Sequence, residues 1–386
     1  MIVLWAIAIA ATFMLCWIYV GYGVFLQMLC ALPRLRRPPL SLPADHDWPA
    51  VTVLLTVHNE ARVIQQRIQN LLALDYPADR LQIVVASDGS TDATCSLVRS
   101  CADPRIRLLE YAGLGKTAAQ NAAMSEIHTE IVAFTDADIL FSPGWLKQVV
   151  QHFQDPEVGA VDGRLCYGRP TVAQVQASQG RYWLYEMKLR RLESRLGILA
   201  VLSGAGFALR HAAFVPMDPA IGEDCIIPLD VVCQGLLVVH DPKAVHFDEF
   251  ETDTGVTMRR RVRMTLRNWQ GTWRRSQLLN PCRHPGYAFA LWSHKILRWL
   301  SPVFLLAATI SSAGLLVLQI TIPRLLLATP WTALFLAAAF HLLFERRRRL
   351  LPGTGAAYSF VLANVAFIIG VSKALAGWQI RAYRNT

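Results

Sequence analysis

The chain has 386 residues, 53% of them hydrophobic, and a formal net charge of +10. That length accommodates one large domain together with membrane segments. Eight scattered cysteines without a C-x-x-C pair argue against a zinc ribbon or disulfide framework and suit a reducing compartment, and the basic surplus lacks the aromatic-and-basic stripe of a nucleic-acid binder.

Residues 1–33 contain no Asp, Glu, Lys, Arg or His. The run lacks a positive leading region and exceeds the apolar core of a signal peptide, about 7–15 residues, so 1–32 is expected to be an uncleaved transmembrane helix. Residues 33–49 are rich in Pro and Arg and read as a linker. From residue 50 to 257 apolar strands alternate with amphipathic segments. Val51–Thr56 is a buried strand, Glu60–Leu74 a helix and Leu81–Ala86 the next strand, which together make a βαβ unit. A helix over Thr91–Cys101, started with the help of Asp92, a strand over Ile106–Leu109, an Ala-rich helix over Thr117–Ile127 and a strand over Ile131–Phe134 continue the rhythm. The alternation predicts an α/β domain with a mainly parallel sheet. Beyond it come a charged helix over Gln174–Leu196, a Gly-bearing loop at Ser203–Leu209 entering a strand, a helix over Asp224–Gln234 and a strand over Leu236–His240.

Residues 258–290 mix Arg with Trp and Leu, as an amphipathic segment at a membrane interface does. In 291–386, the stretches 299–323, 325–340 and 350–372 carry no charged side chain. At about 1.5 Å per residue each can cover a bilayer core of about 30 Å, the second only just. Arg34, Arg36 and Arg37 follow the first span, and Arg346 to Arg349 separate the last two. Positive flanks mark the cytoplasmic side, so the 34–290 region is expected in the cytoplasm of an integral protein of the bacterial plasma membrane. Arg381 and Arg384 oppose this simple count and leave a re-entrant last span open.

Four acidic signals end apolar strands in a fixed order: Asn59-Glu60, then Ser87-Asp88-Gly89-Ser90-Thr91-Asp92, then Thr135-Asp136-Ala137-Asp138, then Gly222-Glu223-Asp224. An open parallel sheet presents its ligands at such strand ends. Asp88 can accept the N–H of a uracil-type base, or bond its own turn. Asp136 and Asp138 alternate along an extended segment and so point to one side, where two anions repel unless a cation or sugar hydroxyls separate them. Such a pair can hold a divalent cation, and through it a diphosphate. Lys116 follows Gly113-Leu114-Gly115 and opens a helix, a place that suits a phosphate as well as a surface lysine. Glu223 and Asp224 are favourable charges at a helix start, and one of them can also serve as a base. His246 and Asp248 could add a metal or phosphate ligand.

In this order the motifs resemble the family-2 glycosyltransferases of the GT-A fold, in particular the membrane-integrated branch of cellulose, chitin and hyaluronan synthases. The likeness runs from Val51 to about Trp273 and includes Val57-His58-Asn59-Glu60, Gly115-Lys116 and Ser203-Gly204. The resemblance implies an inverting hexosyl or N-acetylhexosaminyl transfer from a nucleotide-diphosphate sugar, expected to be a UDP-sugar, to a lipid, lipid-linked or growing glycan acceptor. It implies that Asp88 binds the nucleobase, Asp136 the ribose or sugar, Asp138 Mg²⁺ or Mn²⁺, and Asp224 the acceptor proton, with Glu223 in support. Asn59, Glu60, Ser203 and Gly204 fall among the substrate-binding positions, and Lys116 with the metal would stabilise the departing diphosphate. The processive synthases carry Gln-x-x-Arg-Trp after the base. Here the stretch reads Arg260-Arg261-Val262-Arg263-Met264, so Arg263 can still pair with a diphosphate, but the aromatic platform is missing. Single transfer and processive synthesis both remain open, as does a catalytically silent membrane scaffold on the same fold.

Overall fold

The computed structural model describes residues 1–35, 47–168, 181–248, 254–344, 351 and 353–379. Most of the 33–49 linker, the start of the helix expected from Gln174, the Arg346 to Arg349 cluster, Arg381 and Arg384 lie outside these residues. The chain divides into two compact units. One comprises Met1–Phe25, Glu251–Trp269 and Leu291–Trp378, and the other Leu26–Phe250, Gln270–Ala290 and Gln379–Thr386. The segment 258–290 is thus shared between them.

The N-terminal helix α1 (Ile2–Ala31) is apolar throughout. The second unit is built on a sheet of β1 (Val51–Val57), β2 (Leu81–Asp88), β3 (Ile106–Tyr111), β4 (Ile131–Thr135), β5 (Leu140–Phe141), β6 (Val158–Tyr167), β7 (Gly206–Arg210) and β8 (Leu237–Asp248). Their order is β3-β2-β1-β4-β7-β6-β8-β5. Strands β3, β2, β1 and β4 run parallel, as does β6 with β8, while β7 and β5 are antiparallel to their neighbours. All seven residues of β1 are buried, which is why its sequence holds only Val, Leu and Thr and no charged residue. The helices are α2 (Ile64–Leu72), α3 (Thr94–Ser100), α4 (Lys116–Met124), α5 (Trp145–Val150), α6 (Arg181–Arg195) and α7 (Glu223–Cys233). Helix α2 buries Ile64, Ile68 and Leu71 against Val53, Leu55, Ile83 and Val85 in the main core. From β1 the chain winds outward to β2 and β3, then returns to the far side of β1 as β4. The crevice between the carboxyl ends of β1 and β4 is therefore the topological switch point of the sheet.

Two elements depart from the sequence reading for visible reasons. Helix α2 begins at Ile64 instead of Glu60 because the backbone N–H groups of Asn59, Glu60 and Ala61 donate to Ser90, Thr94 and Asp92. Strand β8 continues past His240 to Asp248, with a register shift opposite Gly163 and Arg164 that carries it through Asp241-Pro242.

Helix α8 (Thr254–Arg274) leads on to α9 (Ser301–Leu318), α10 (Ile322–Phe344) and α11 (Thr354–Leu375). Helices α1, α9, α10 and α11 are long and apolar enough to cross a membrane. Within their unit α1 meets α9 through Ala11, Leu15, Leu305 and Ala308, of which the two alanines are small enough to let backbones approach. Tyr19, Ser301 and Asn364 form a hydrogen-bonded chain at 2.9 and 2.7 Å. Helix α10 is longer than the uncharged stretch 325–340. It begins at Ile322 because Arg324 is buried and donates to the carbonyls of Leu315 and Gln319 at the end of α9.

Candidate active site

The carboxyl ends of β1 and β2 are tied by their own loops. Asn59 has φ 57°, the one positive value at a non-glycine residue among the described residues. Asparagine tolerates this region better than most residues. Its Oδ1 accepts from the backbone N–H of Thr91 at 2.8 Å, while its own N–H donates to Ser90 Oγ at 3.1 Å. Asn59 thus clamps the loop after Asp88. Asp92 accepts from Thr94 just ahead of α3, and this bonding holds its carboxyl below the usual range. Asp88 closes β2, is buried, and accepts from the Gly115 N–H at 3.1 Å. Gly115 has φ 90°, a conformation a side chain would strain, and this turn brings the start of α4 over Asp88.

Lys116, the next residue, lies in the middle of the site. Its Nζ stands 2.6 Å from Asp136 Oδ1 and 2.5 Å from Glu223 Oε1. Asp136 follows β4 directly. Burial pushes its pKa up to about 6, Lys116 opposes that shift, and Glu223 and Asp138 add to it by repulsion. Asp138 is exposed. Glu60 is also held above the ordinary carboxylate range, by burial first and then by Asp138, Asp136 and Asp92. Three carboxylates therefore share one negative field, with the Lys116 ammonium paired to one of them, Asp136.

Opposite them, Gly222 precedes α7, and Glu223 and Asp224 occupy its first turn. Glu223 is buried against Lys116, whereas Asp224 is half-buried. Gly204 faces Asp224 closely: a methyl on Gly204 would lie 3.5 Å from the Asp224 carboxyl carbon. Helix α7 is braced by the end of α8. Arg274 pairs with Asp218, Arg275 with Asp230, and a methyl on Gly271 would stand 2.7 Å from the Cys225 carbonyl.

The remaining sequence candidates lie elsewhere. His246 is fully buried on β8 opposite Phe141, edge-on to Phe141 and Trp145, and burial drops its pKa to about 3. Neither ring nitrogen has a hydrogen-bond partner among the described residues. Asp136, Asp138 and His246 do not form a ligand trio: among the described residues no group of three or more His, Cys, Asp or Glu is arranged to hold a metal alone. Asp248 ends β8 and its carbonyl accepts from Gly168 N–H. Arg260 is exposed and Arg263 half-buried on the part of α8 that belongs to the helical unit.

Several buried polar residues at the site escaped the sequence reading. Arg67 donates to Thr135 Oγ1 at 2.6 Å and Asn70 Oδ1 at 2.5 Å, directly beneath Asp136. Burial lowers its pKa to about 9, against the pull of Asp136 and Asp138. Asp162, fully buried on β6, binds Arg190, His240 and the Ser203 N–H. The available signal was a charge on an otherwise apolar face: Arg67 among Ile64, Ile68 and Leu71, and Asp162 after Val158-Gly-Ala-Val161.

Residues 52–215 match the family described as Glycosyl transferase family 2. An N-acetylglucosaminyltransferase of Mesorhizobium japonicum is 25% identical over 353 residues, covering 86% of this chain and 79% of the relative. A beta-monoglucosyldiacylglycerol synthase of Synechocystis is 29% identical over 196 residues, 48% of this chain and 40% of the relative, so the chain spans under half of that protein. Among solved structures, a mannosyltransferase of Pyrobaculum calidifontis, in complex with GDP-Man and Mn²⁺, superposes with a TM-score of 0.72 at 23% identity, covering 96% of this chain and 99% of that one. The strand order and the superposition agree on the GT-A fold, and the Glycosyl transferase family 2 match lies on residues 52–215, which hold the loops at the switch point.

Proposed function

We propose that the chain is an inverting glycosyltransferase, moving one sugar from a nucleoside-diphosphate donor to a lipid or lipid-linked acceptor at a membrane. The observation that carries this reading is the division of labour around Lys116. Its ammonium pairs with both Glu223 and Asp136, which leaves Asp224 as the half-exposed carboxylate of the pair on α7. The acceptor hydroxyl gives its proton to Asp224, its oxygen bonds to the anomeric carbon, and the bond from that carbon to the diphosphate breaks on the opposite face. Asp88, with Gly115 fixed on its carboxylate, is placed to accept a base N–H, and a UDP-sugar is the first donor to test. Lys116 stands where a diphosphate would exchange for its carboxylate partners.

The acidic field of Asp136, Asp138 and Glu60 fits Mg²⁺ or Mn²⁺. Two of these carboxylates with diphosphate oxygens make a hard-oxygen donor set, and a cation would relieve the repulsion that adds to the effect of burial on Asp136 and Glu60. When bound, the ion supplies electrostatic stabilisation of the leaving diphosphate.

Single transfer is favoured over processive synthesis by α8. Met264 occupies the position where the processive enzymes carry Trp, and Trp269 is buried against Trp299 within the helical unit. The domain limits follow: a helix over 1–32, a linker over 33–49, a cytoplasmic catalytic domain over 50–257, an interfacial segment over 258–290 and a membrane domain over 291–386. The lipid product in one relative's name supports a membrane acceptor. The test is to incubate membranes containing the full chain with labelled UDP- and GDP-sugars and Mg²⁺ or Mn²⁺, then identify the product by mass spectrometry. A monoglycosylated lipid that disappears in Asp224→Asn is expected. A silent scaffold would transfer nothing from any donor, and a polymer ladder would favour the processive reading.

A further inference from the structure

The loop Ser203–Ala205 runs between the two halves of the site and is held at both ends by buried groups. At its start the Ser203 N–H donates to Asp162 Oδ1 at 2.9 Å. At its end the Ala205 carbonyl accepts from Thr135 Oγ1 at 3.1 Å, one residue before Asp136. Between them Gly204 faces Asp224, and a methyl there would lie 3.5 Å from the Asp224 carboxyl carbon. The other oxygen of Asp162 accepts from Arg190 at 3.0 Å and His240 at 3.3 Å, and Arg190 pairs in turn with Glu186 at 3.4 Å. Asp162 is 0% exposed and Arg190 7%.

The sheet does not need this ion network. Strand β6 is already held to β7 and β8 by backbone pairing through Asp162 itself, opposite Phe207 and His240. A buried ion pair is weak as a source of stability, since desolvation offsets most of its attraction. What the carboxylate adds is a fixed acceptor aimed at one peptide N–H, gripped from behind by a guanidinium. The residue that follows this peptide is Gly204, the one that faces Asp224.

We propose that Asp162 is a positioning residue for the transfer step: through the Ser203 peptide it sets the distance and direction of the Ser203–Ala205 loop over Asp224, and so the line along which an acceptor hydroxyl presents its proton. Arg190 holds Asp162 in that role. The inference rests on the reading of Asp224 as the base. The nucleotide side, built from Asp88, Gly115 and Lys116, does not touch Asp162.

Full-length protein in membranes or detergent provides the test, with rates expressed per nucleotide-binding site so that unfolded protein drops out. Asp162→Ala is expected to lower kcat for transfer by about 10–100-fold, the scale on which small misplacements act. The acceptor KM should rise and nucleotide affinity should change by less than about twofold, a split that lost folding alone does not produce. Asp162→Asn keeps an oxygen for the Ser203 N–H and should recover most of the rate. Should Asp162→Ala fail to fold, Arg190→Gln, which leaves the Ser203 bond but frees the carboxylate to rotate, is expected to give the same split in milder form. An unchanged kcat and acceptor KM per folded site in these variants overturns the proposal, as does equal weakening of nucleotide binding. Asp224→Asn in the same assay separates the two readings: if it retains transfer, the base assignment fails first. If it is inactive while the Asp162 and Arg190 variants are normal, only the positioning role fails.

Discussion

The Lys116 ammonium lies 2.5 Å from Glu223 Oε1, joining the first turn of α4 to the first turn of α7. The same nitrogen holds Asp136, so one cation ties the end of β4 to the helix that carries Asp224. The contact spans more than a hundred residues of sequence and brings a donor-side and an acceptor-side carboxylate under one charge.

Lys116→Met should therefore do two separable things. It strands Glu223, whose side chain is 5% exposed, and removing one partner of a buried pair costs on the order of 3–5 kcal/mol. It also removes the cation expected to meet the diphosphate. Lys116→Met/Glu223→Leu is expected to recover the melting temperature but not nucleotide binding. Thermal unfolding and nucleotide titration read the two effects apart, and recovery of both would show that Lys116 is structural only.

Asp224→Asn should bind the nucleotide-sugar with near-normal affinity and lose about 10²–10⁴ in transfer rate, the usual contribution of a general base. Glu223→Gln should act chiefly on stability and on Lys116. If Glu223→Gln loses transfer while Asp224→Asn keeps it, the base is one residue earlier.

The raised pKa of Asp136, about 6, gives a pH signature. A carboxyl raised on folding stabilises the protein fully below its unfolded pKa, about 3.9, and that contribution is lost as pH rises through about 6. At pH 7.5 the ionised Asp136 then burdens the fold, and a divalent cation should relieve it. Addition of Mg²⁺ or Mn²⁺ is expected to raise Tm clearly at pH 7.5 and progressively less through pH 6 to pH 5, as protons compete. A metal-induced shift equal at pH 5 and pH 7.5 would rule out Asp136 as the competing group.

Cys282 is exposed on the unit that contains the sheet. With the 34–290 region in the cytoplasm, a membrane-impermeant maleimide should label it in lysed but not in intact cells, with Cys282→Ser as control. Labelling from outside would reverse the orientation.

The central parallel strands were legible because they are buried on both faces and read as runs without a charged residue, as in Val51–Val57 and Ile131–Thr135. The acidic motifs were legible because strand ends are where the chain turns polar. The antiparallel additions were less so. Strand β5 has only Leu140 and Phe141, and β8 passes through a proline and a register shift that break any periodic signal. The order of β7 and β6 depends on pairing between segments far apart in sequence. Likewise, nothing local in the sequence shows that the side-chain oxygen of Asn59, a substrate-binding candidate, also ties down the loop after Asp88. Lys116 joining Asp136 to Glu223 could not be read from any local pattern.

The Arg67 guanidinium is fully buried, its two hydrogen-bond partners are neutral side chains, and it stacks 4.4 Å over Phe141. Burying that charge costs desolvation, which the hydrogen bonds to Asn70 and Thr135 and the attraction of Asp136 and Asp138 offset. Its field, however, falls on Asp136 and Asp138 from below, where no ligand can displace it. Arg67→Met is expected to melt at a lower temperature, because Thr135 and Asn70 lose a donor and Asp136 an opposite charge, yet to bind divalent cations more tightly and turn over more slowly because product diphosphate leaves with its cation less readily. The site would then be tuned from behind its own wall, by a side chain that no ligand needs to touch.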